Sequence, residues 1–123
     1  AFKIVFAPRR GRFDSRLVES GPPAMLTDKG ILFIYNSMNS DSYGDTSLPK
    51  GTYAAGQVLI DPKDPLTVLK RSENYFFKPD RPFELTGQVN NVCFLEGLVH
   101  FKDRWYLYYG TADSKIAVAV SKQ

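Results

Sequence analysis

Two glutamates stand where local sequence would hold a carboxylate in a fixed place. Glu19 comes just before Gly21-Pro22-Pro23, a stiff extended kink that delivers its neighbour at low entropic cost. Glu96 interrupts the otherwise apolar run Val92-Cys93-Phe94-Leu95 and is followed by Gly97. Two carboxylates beside one sugar can act as the acid and base of glycoside hydrolysis. Each glutamate also reads as a solvated turn residue, and the pattern by itself leaves both readings open.

Other chemistry-bearing residues have structural readings. Cys93 has no second cysteine to pair with and reads as a small buried hydrophobe rather than a reactive thiol. His100 lies in an apolar strand without another His or Cys at metal-ligand spacing, so it reads as structural and no metal or cofactor is expected. The loop Asn39 to Asp45 is rich in oxygen ligands. It fails the calcium-loop pattern because Tyr43 takes a ligand position and no Glu closes it; it is expected to face substrate or another subunit. Trp105 could stack on a sugar, but within Arg104-Trp-Tyr-Leu-Tyr-Tyr109 it reads as core. Tyr108 and Tyr109 must point to opposite faces of one strand, so at least one is a packing residue.

The elements that hold these residues read as strands. Short apolar and aromatic runs are bounded by Gly, Pro, Asn and Asp, with strands expected at Phe2–Phe6, Ile31–Tyr35, Gln57–Ile60, Thr67–Lys70, Val92–Leu95, Leu98–Phe101, Trp105–Tyr109 and Lys115–Val120. Helix signals are almost absent. Several runs are apolar throughout, which predicts sheets covered on both faces. Asp61-Pro-Lys-Asp-Pro65 is a rigid turn expected to join antiparallel strands at a sheet edge. The segments Asp28–Asn36 and Lys102–Gly110 repeat one pattern: a polar turn, five apolar or aromatic residues, then a turn residue. Such repeats point to propeller blades. At about 40 to 45 residues per blade, 123 residues supply two blades and part of a third. A β-sandwich is the alternative, since stacked sheets produce the same short strands.

Composition bounds the classes. The chain is 43% hydrophobic and 24% charged, which is a globular balance. Its longest apolar runs, Ile31–Tyr35 and Ile116–Val120, are far shorter than the roughly 18 residues of a spanning helix, so no membrane partner is expected. The net charge of +3 comes from 16 basic and 13 acidic residues scattered together. No dense basic stripe suggests nucleic acid. Arg9, Arg10, Arg12 and Arg16 form one local cluster, broken by Gly11, Asp14 and Ser15, that reads as a solvated loop rather than a phosphate site. No signal-peptide pattern opens the sequence, and localisation stays open.

Several separate motifs resemble glycoside hydrolase family 130. They are Phe13-Asp14-Ser15, Gly21-Pro22-Pro23, the Ile34-Tyr35 strand ending at Asn36, Tyr53 with Gly56, the Leu59-Ile60-Asp61-Pro62 turn, Asn91-Val92 with Phe94, and Tyr108-Tyr-Gly-Thr-Ala-Asp113 with Ile116–Ala119. They fall in the family's order and spacing over nearly all of the chain from Phe13 onward. The resemblance implies a five-bladed β-propeller acting on β-mannosides in a central funnel. This chain would be the C-terminal portion of that one domain, residues 1–123, with the N-terminal blades elsewhere or replaced by self-association.

The family includes phosphorylases and hydrolases. Its phosphorylases carry a lysine and a histidine for the attacking phosphate where this chain has Leu17 and Asn36, and a glycine where it has Glu19. Loss of those charge-assisted contacts implies a hydrolase, inverting at the anomeric carbon, with β-1,2-linked manno-oligosaccharide as expected substrate. Glu19 and Glu96 are then the expected catalytic pair, as base and water-positioner in either order. Asn36, Tyr53, Asn91 and Asp113 are the expected substrate-binding residues. The family's acid is an aspartate of the N-terminal half, a role that passes to neither Asp14 nor Asp61. A phosphorylase and a non-catalytic carbohydrate-binding propeller are the alternatives.

Overall fold

The computed structural model describes residues 1–122, and they are all-β apart from one helical turn. The first sheet contains β1 (Leu17–Ser20), β2 (Met25–Thr27), β3 (Gly30–Met38), β4 (Tyr53–Ile60) and β5 (Val68–Arg71). Its order is β1-β3-β4-β5, with β2 also paired to β3. The turn α1 (Pro82–Leu85) follows, then a second sheet of β6 (Cys93–Phe101), β7 (Arg104–Thr111) and β8 (Lys115–Val120) in that order. Every strand pairing is antiparallel.

Local chemistry explains the breaks. Gly21-Pro22-Pro23 divides β1 from β2, so that both pair in turn along the same side of β3. Gly21 N–H donates to the Ile34 carbonyl at 3.1 Å. A Cβ on Gly21 would lie 2.7 Å from that oxygen, which is why the chain can come this close only at glycine. The repeated motif is now geometric: Asp28-Lys29 and Lys102-Asp103 are both two-residue hairpin loops, leading into β3 and β7. Lys102 and Asp103 have φ of 47° and 60°, the left-handed values that a tight hairpin requires. The proline-rich turn at Asp61–Pro65 joins β4 to the edge strand β5.

Three expectations change. Phe2–Phe6 forms no strand; it has no ladder partner and is held by side chains, with Phe6 against Phe33 and Tyr35 and Arg71 Nη1 donating to the Ala7 carbonyl at 2.7 Å. The segments Val92–Leu95 and Leu98–Phe101 belong to one strand, β6, whose register shifts between Leu95 and Gly97. Coverage of both faces holds only for the first sheet. Alternation along β3 and β4 sends Tyr35, Ala54, Val58 and Ile60 into one core with Phe13 and Leu48. Ile34 and Ala55 go into the other, with Cys93, Leu95, Leu107 and Tyr109 of the second sheet. The far face of the second sheet leaves Val99, Phe101, Tyr108, Ile116, Val118 and Val120 exposed.

The first core is closed by a buried ion cluster. Asp14 is fully buried, and its Oδ2 accepts from Arg71 Nη2 at 2.6 Å, Arg9 Nη2 at 2.8 Å and the Tyr35 hydroxyl at 2.8 Å. Of the basic cluster only Arg9 is drawn inward, onto Asp14; Arg10, Arg12 and Arg16 stay exposed as expected of a solvated loop, with Arg12 paired to Glu73 at 2.7 Å and Arg10 over the Tyr43 ring. Removing one partner of such an arrangement strands the others without compensation. Asp14→Ala should therefore lower unfolding free energy by about 3–5 kcal/mol, read from urea midpoints. A loss no larger than that of an exposed ion pair would show that the arginines escape to solvent.

Candidate functional site

The first sheet turns Leu17, Glu19, Asn36, Met38, Tyr53 and Ala55 to one face, because cross-strand partners share a side and Leu17 pairs with Met38, Glu19 with Asn36, Asn36 with Ala55 and Met38 with Tyr53. That face meets the second sheet. At its margin opens a cleft of about 510 Å³, lined by Glu19, Met38, Tyr53, Val89, Val92, Phe94 and Asp113. The lining is apolar except for two carboxylates and one phenol, and it contains no Lys, Arg or His.

Backbone contacts hold the cleft's far wall. Tyr53 N–H donates to the Asn91 carbonyl at 2.9 Å, and Val92 forms a parallel bridge with Tyr53. Ala112 N–H reaches the Val92 carbonyl at 3.0 Å, and Val89 N–H reaches the Ala112 carbonyl at 3.2 Å. The loop before β6 is thereby tied both to β4 and to the β7–β8 turn that carries Asp113. Asp113 has φ of 49° and Ala112 of 46°; the left-handed turn presents the Asp113 carboxylate at the rim. Phe94 packs near Tyr53, with ring centroids 6.1 Å apart.

The Tyr53 phenol is held above its ordinary pKa, first by burial and then by the nearby carboxylates of Glu19 and Asp113, with Arg16 opposing. The three side chains thus share one electrostatic neighbourhood although distant in sequence. Exposed carboxylates on either side of an aromatic and apolar wall can accept hydrogen bonds from sugar hydroxyls while the wall packs a sugar face. A carboxylate can also draw a proton from water.

The remaining expected residues are placed elsewhere. Glu96 is exposed and is the extra residue at the β6 register shift, two positions beyond Phe94; it is not among the cleft's lining residues. Asn36 is fully buried, and its side chain is engaged by the Leu95 backbone rather than presented to the cleft. Asn91, with φ of 59°, lends its backbone to Tyr53 and borders a separate cavity of about 220 Å³ with Thr52, Lys78 and Asp80. Trp105, expected in the core, is 41% exposed and packs on His100 at 4.9 Å, because the ladder puts this pair at the outer end of β6 and β7. Tyr109 is buried and Tyr108 exposed, as alternation requires. Cys93 is buried and its thiol pushed up, first by burial and then by Glu84. The Asn39–Asp45 loop is organised by Asn39, whose Oδ1 accepts from Asp45 N–H at 2.8 Å and whose Nδ2 donates to the Asp45 carbonyl at 3.0 Å. Among the described residues no group of three His, Cys, Asp or Glu side chains is arranged to hold a metal ion.

One buried carboxylate was missed. Glu84 Oε2 accepts from Asp80 and Arg81 N–H, each at 2.7 Å, and Oε1 accepts from the Tyr109 hydroxyl at 2.5 Å. The Glu84 carbonyl takes Val92 N–H at 3.1 Å and the Leu85 carbonyl takes Asn91 N–H at 3.2 Å, so this turn anchors the loop that walls the cleft. The available signal was Arg81-Pro-Phe-Glu84: proline at the first helical position, then Glu reaching back to the cap N–H.

With the geometry in place, comparison with known proteins is decisive at the family level. The family model described as beta-1,4-mannooligosaccharide phosphorylase matches residues 1–123. The chain belongs to glycoside hydrolase family 130. It is 32% identical to a beta-1,2-mannobiose phosphorylase from Thermoanaerobacter sp. (strain X514), covering 93% of this chain and 35% of that protein. A glycosyl hydrolase from Bacteroides ovatus superposes with a TM-score of 0.92 at 50% identity, covering 96% of this chain and 33% of the other. A third structure, described with the finding that this family of mannoside phosphorylases contains glycoside hydrolases that target beta-1,2 mannosidic linkages in Candida mannan, superposes with a TM-score of 0.93 at 50% identity, covering 96% and 33%. The chain spans about a third of the length of these family 130 relatives.

Because Glu19 raises the Tyr53 pKa, Glu19→Gln should lower it while the effect of burial persists. Spectrophotometric alkaline titration, with Tyr53→Phe identifying the transition, checks this. An unchanged Tyr53 titration in Glu19→Gln would separate the two residues.

Proposed function

We propose that this chain contributes the C-terminal blades of a five-bladed β-propeller, and that the complete protein hydrolyses β-mannosides with inversion. β-1,2-linked manno-oligosaccharide is the proposed substrate class. The observation that carries the reading is the cleft's charge: Glu19 and Asp113 border it, and no Lys, Arg or His lines it among the described residues. A phosphate dianion is held by charge-assisted bonds from cationic donors. Here Leu17 and Asn36 occupy the positions where the resemblance puts the phosphorylases' lysine and histidine, and the Asn36 amide is already engaged by protein. Two carboxylates beside the reaction centre would repel phosphate and favour neutral water.

In this reading Glu19 is the base at the cleft wall, and Glu96, which lies outside the cleft's lining at the β6 register shift beyond Phe94, is the group that positions water. Asp113 and Tyr53 hold the sugar, and an aspartate outside this chain protonates the leaving oxygen. Asn91 supports Tyr53 through its backbone. Inversion follows from separate acid and base groups on opposite faces of the sugar, with water as the nucleophile. The greater identity to the Bacteroides ovatus glycosyl hydrolase and to the structure described with the family's beta-1,2-mannoside hydrolases than to the Thermoanaerobacter phosphorylase supports the same side. The propeller is supported by the length of the relatives and by the exposed apolar face of β6, β7 and β8. A neighbouring blade would cover that face as the second sheet covers the first.

The phosphorylase names of the family model and the curated relative keep one competing reading, and a single assay separates the two. The complete protein incubated with β-1,2-mannobiose should release mannose at a rate indifferent to added phosphate. Glu19→Gln should lower turnover by on the order of 10² to 10⁴, the usual worth of general base catalysis. Phosphate dependence with mannose 1-phosphate as the main product would make the protein a phosphorylase. No turnover of any mannoside, with sugar binding retained, would make it a binding propeller.

A further inference from the structure

Among the described residues, Asn36 is the one polar side chain that hydrogen-bonds both to the strand of Glu19 and to the strand of Glu96. It is fully buried near the end of β3. Its Oδ1 accepts from Leu95 N–H at 2.7 Å, and its Nδ2 donates to the Leu95 carbonyl at 2.9 Å, with the Ser20 carbonyl at 3.4 Å. A carboxamide carries the same donor and acceptor as a peptide group. Here it meets both backbone groups of one residue, as a neighbouring strand would, on the side of β6 that faces away from β7.

The contact falls at a sensitive place. The β6 register shifts between Leu95 and Gly97, which makes Glu96 the extra residue of a bulge. A bulge loosens the local ladder, so its direction is set by whatever else grips the backbone. At Leu95 that grip comes from Asn36. In the first sheet Asn36 is the ladder partner of Glu19.

We propose that Asn36 is a positioning residue, whose side chain fixes the bulge bearing Glu96 relative to the strand bearing Glu19. Its effect on turnover rests on the hydrolase reading above; its hold on the bulge does not. Alanine at this position leaves both Leu95 groups buried without partners. Aspartate keeps the acceptor for Leu95 N–H, loses the donor, and sets a carboxylate against the Leu95 carbonyl.

The experiment uses the complete protein with β-1,2-mannobiose and the variants Asn36→Ala, Asn36→Asp, Glu96→Gln and both double variants. Asn36→Ala should lower kcat by on the order of 10²-fold, the scale of an ångström of misplacement, while KM changes by only about threefold. In the Glu96→Gln background the same substitution should cost roughly threefold or less in kcat, since residues that act as a unit are not additive. Backbone amide exchange at Glu96 and Gly97 should accelerate in both Asn36 variants, and at Leu95 in Asn36→Ala. Asn36→Asp serves if the alanine variant does not fold.

Unchanged exchange at Glu96 and Gly97 in Asn36→Ala or Asn36→Asp would overturn the proposal. So would a kcat loss of equal size with and without Glu96, which would mark Asn36 as a general structural tie. A Glu96→Gln enzyme with full activity would instead overturn the role given to Glu96, and the exchange data would then decide the hold on the bulge alone.

Discussion

The seam between the two sheets carries everything in this chain that bears on chemistry, and the bond between Asn36 and Leu95 holds that seam at its polar point. Around it the interface is apolar: Ile34 and Ala55 against Cys93, Leu95, Leu107 and Tyr109. Apolar packing is tolerant of small slides, because burial is non-directional. A doubly bonded carboxamide is not tolerant, since each orphaned Leu95 group would cost about 1–3 kcal/mol. Close approach at the seam also needs glycine. A Cβ on Gly21 would crowd the Ile34 carbonyl and stand 3.4 Å from the Leu95 carbonyl.

The two faces of the first sheet divide the work. One is closed by Asp14, Arg9, Arg71 and Tyr35 over Phe13 and Val58. With its carboxylate consumed by two guanidinium groups and a phenol, Asp14 has nothing left to offer a ligand. The Tyr35 hydroxyl is held above its ordinary pKa, first by burial, with the Arg71 hydrogen bond opposing and Asp14 adding to the rise. The opposite face, toward the second sheet, keeps Glu19 at the rim, where it and Asp113 of the β7–β8 turn remain exposed. The same residue type is structural where arginine reaches it in the core and available where none does.

Glu84 adds support from outside the seam. Its carboxylate accepts from two backbone N–H groups and from Tyr109, while the backbone carbonyls of Glu84 and Leu85 receive Val92 and Asn91. The wall of the cleft is thus tied at one end to a capped helical turn and at the other to the β7–β8 turn. A loop fixed at both ends can present Val89 and Val92 without regular structure of its own.

Much of this was legible in the sequence. Aromatic and β-branched runs between turn residues marked β3 to β8, because strand propensity and turn chemistry are local; the short β1 and β2, which flank the Gly21-Pro22-Pro23 kink, were not among the expected strands. The motifs from Phe13 to Ala119 carried the family. Local pattern also carried two errors. Phe2–Phe6 has strand composition but no partner, and partnership is a property of the fold. Trp105 has core composition but lies at the outer end of a hairpin. The sequence by itself determined most of the strands, the tight turns and the residue types available for chemistry. Tertiary structure alone decided which residues share a place: it joined Glu19, Tyr53 and Asp113 in one cleft and gave Asn36 to the Leu95 backbone. Side-chain direction within a strand follows from alternation, but what a side chain faces depends on how sheets distant in sequence are packed.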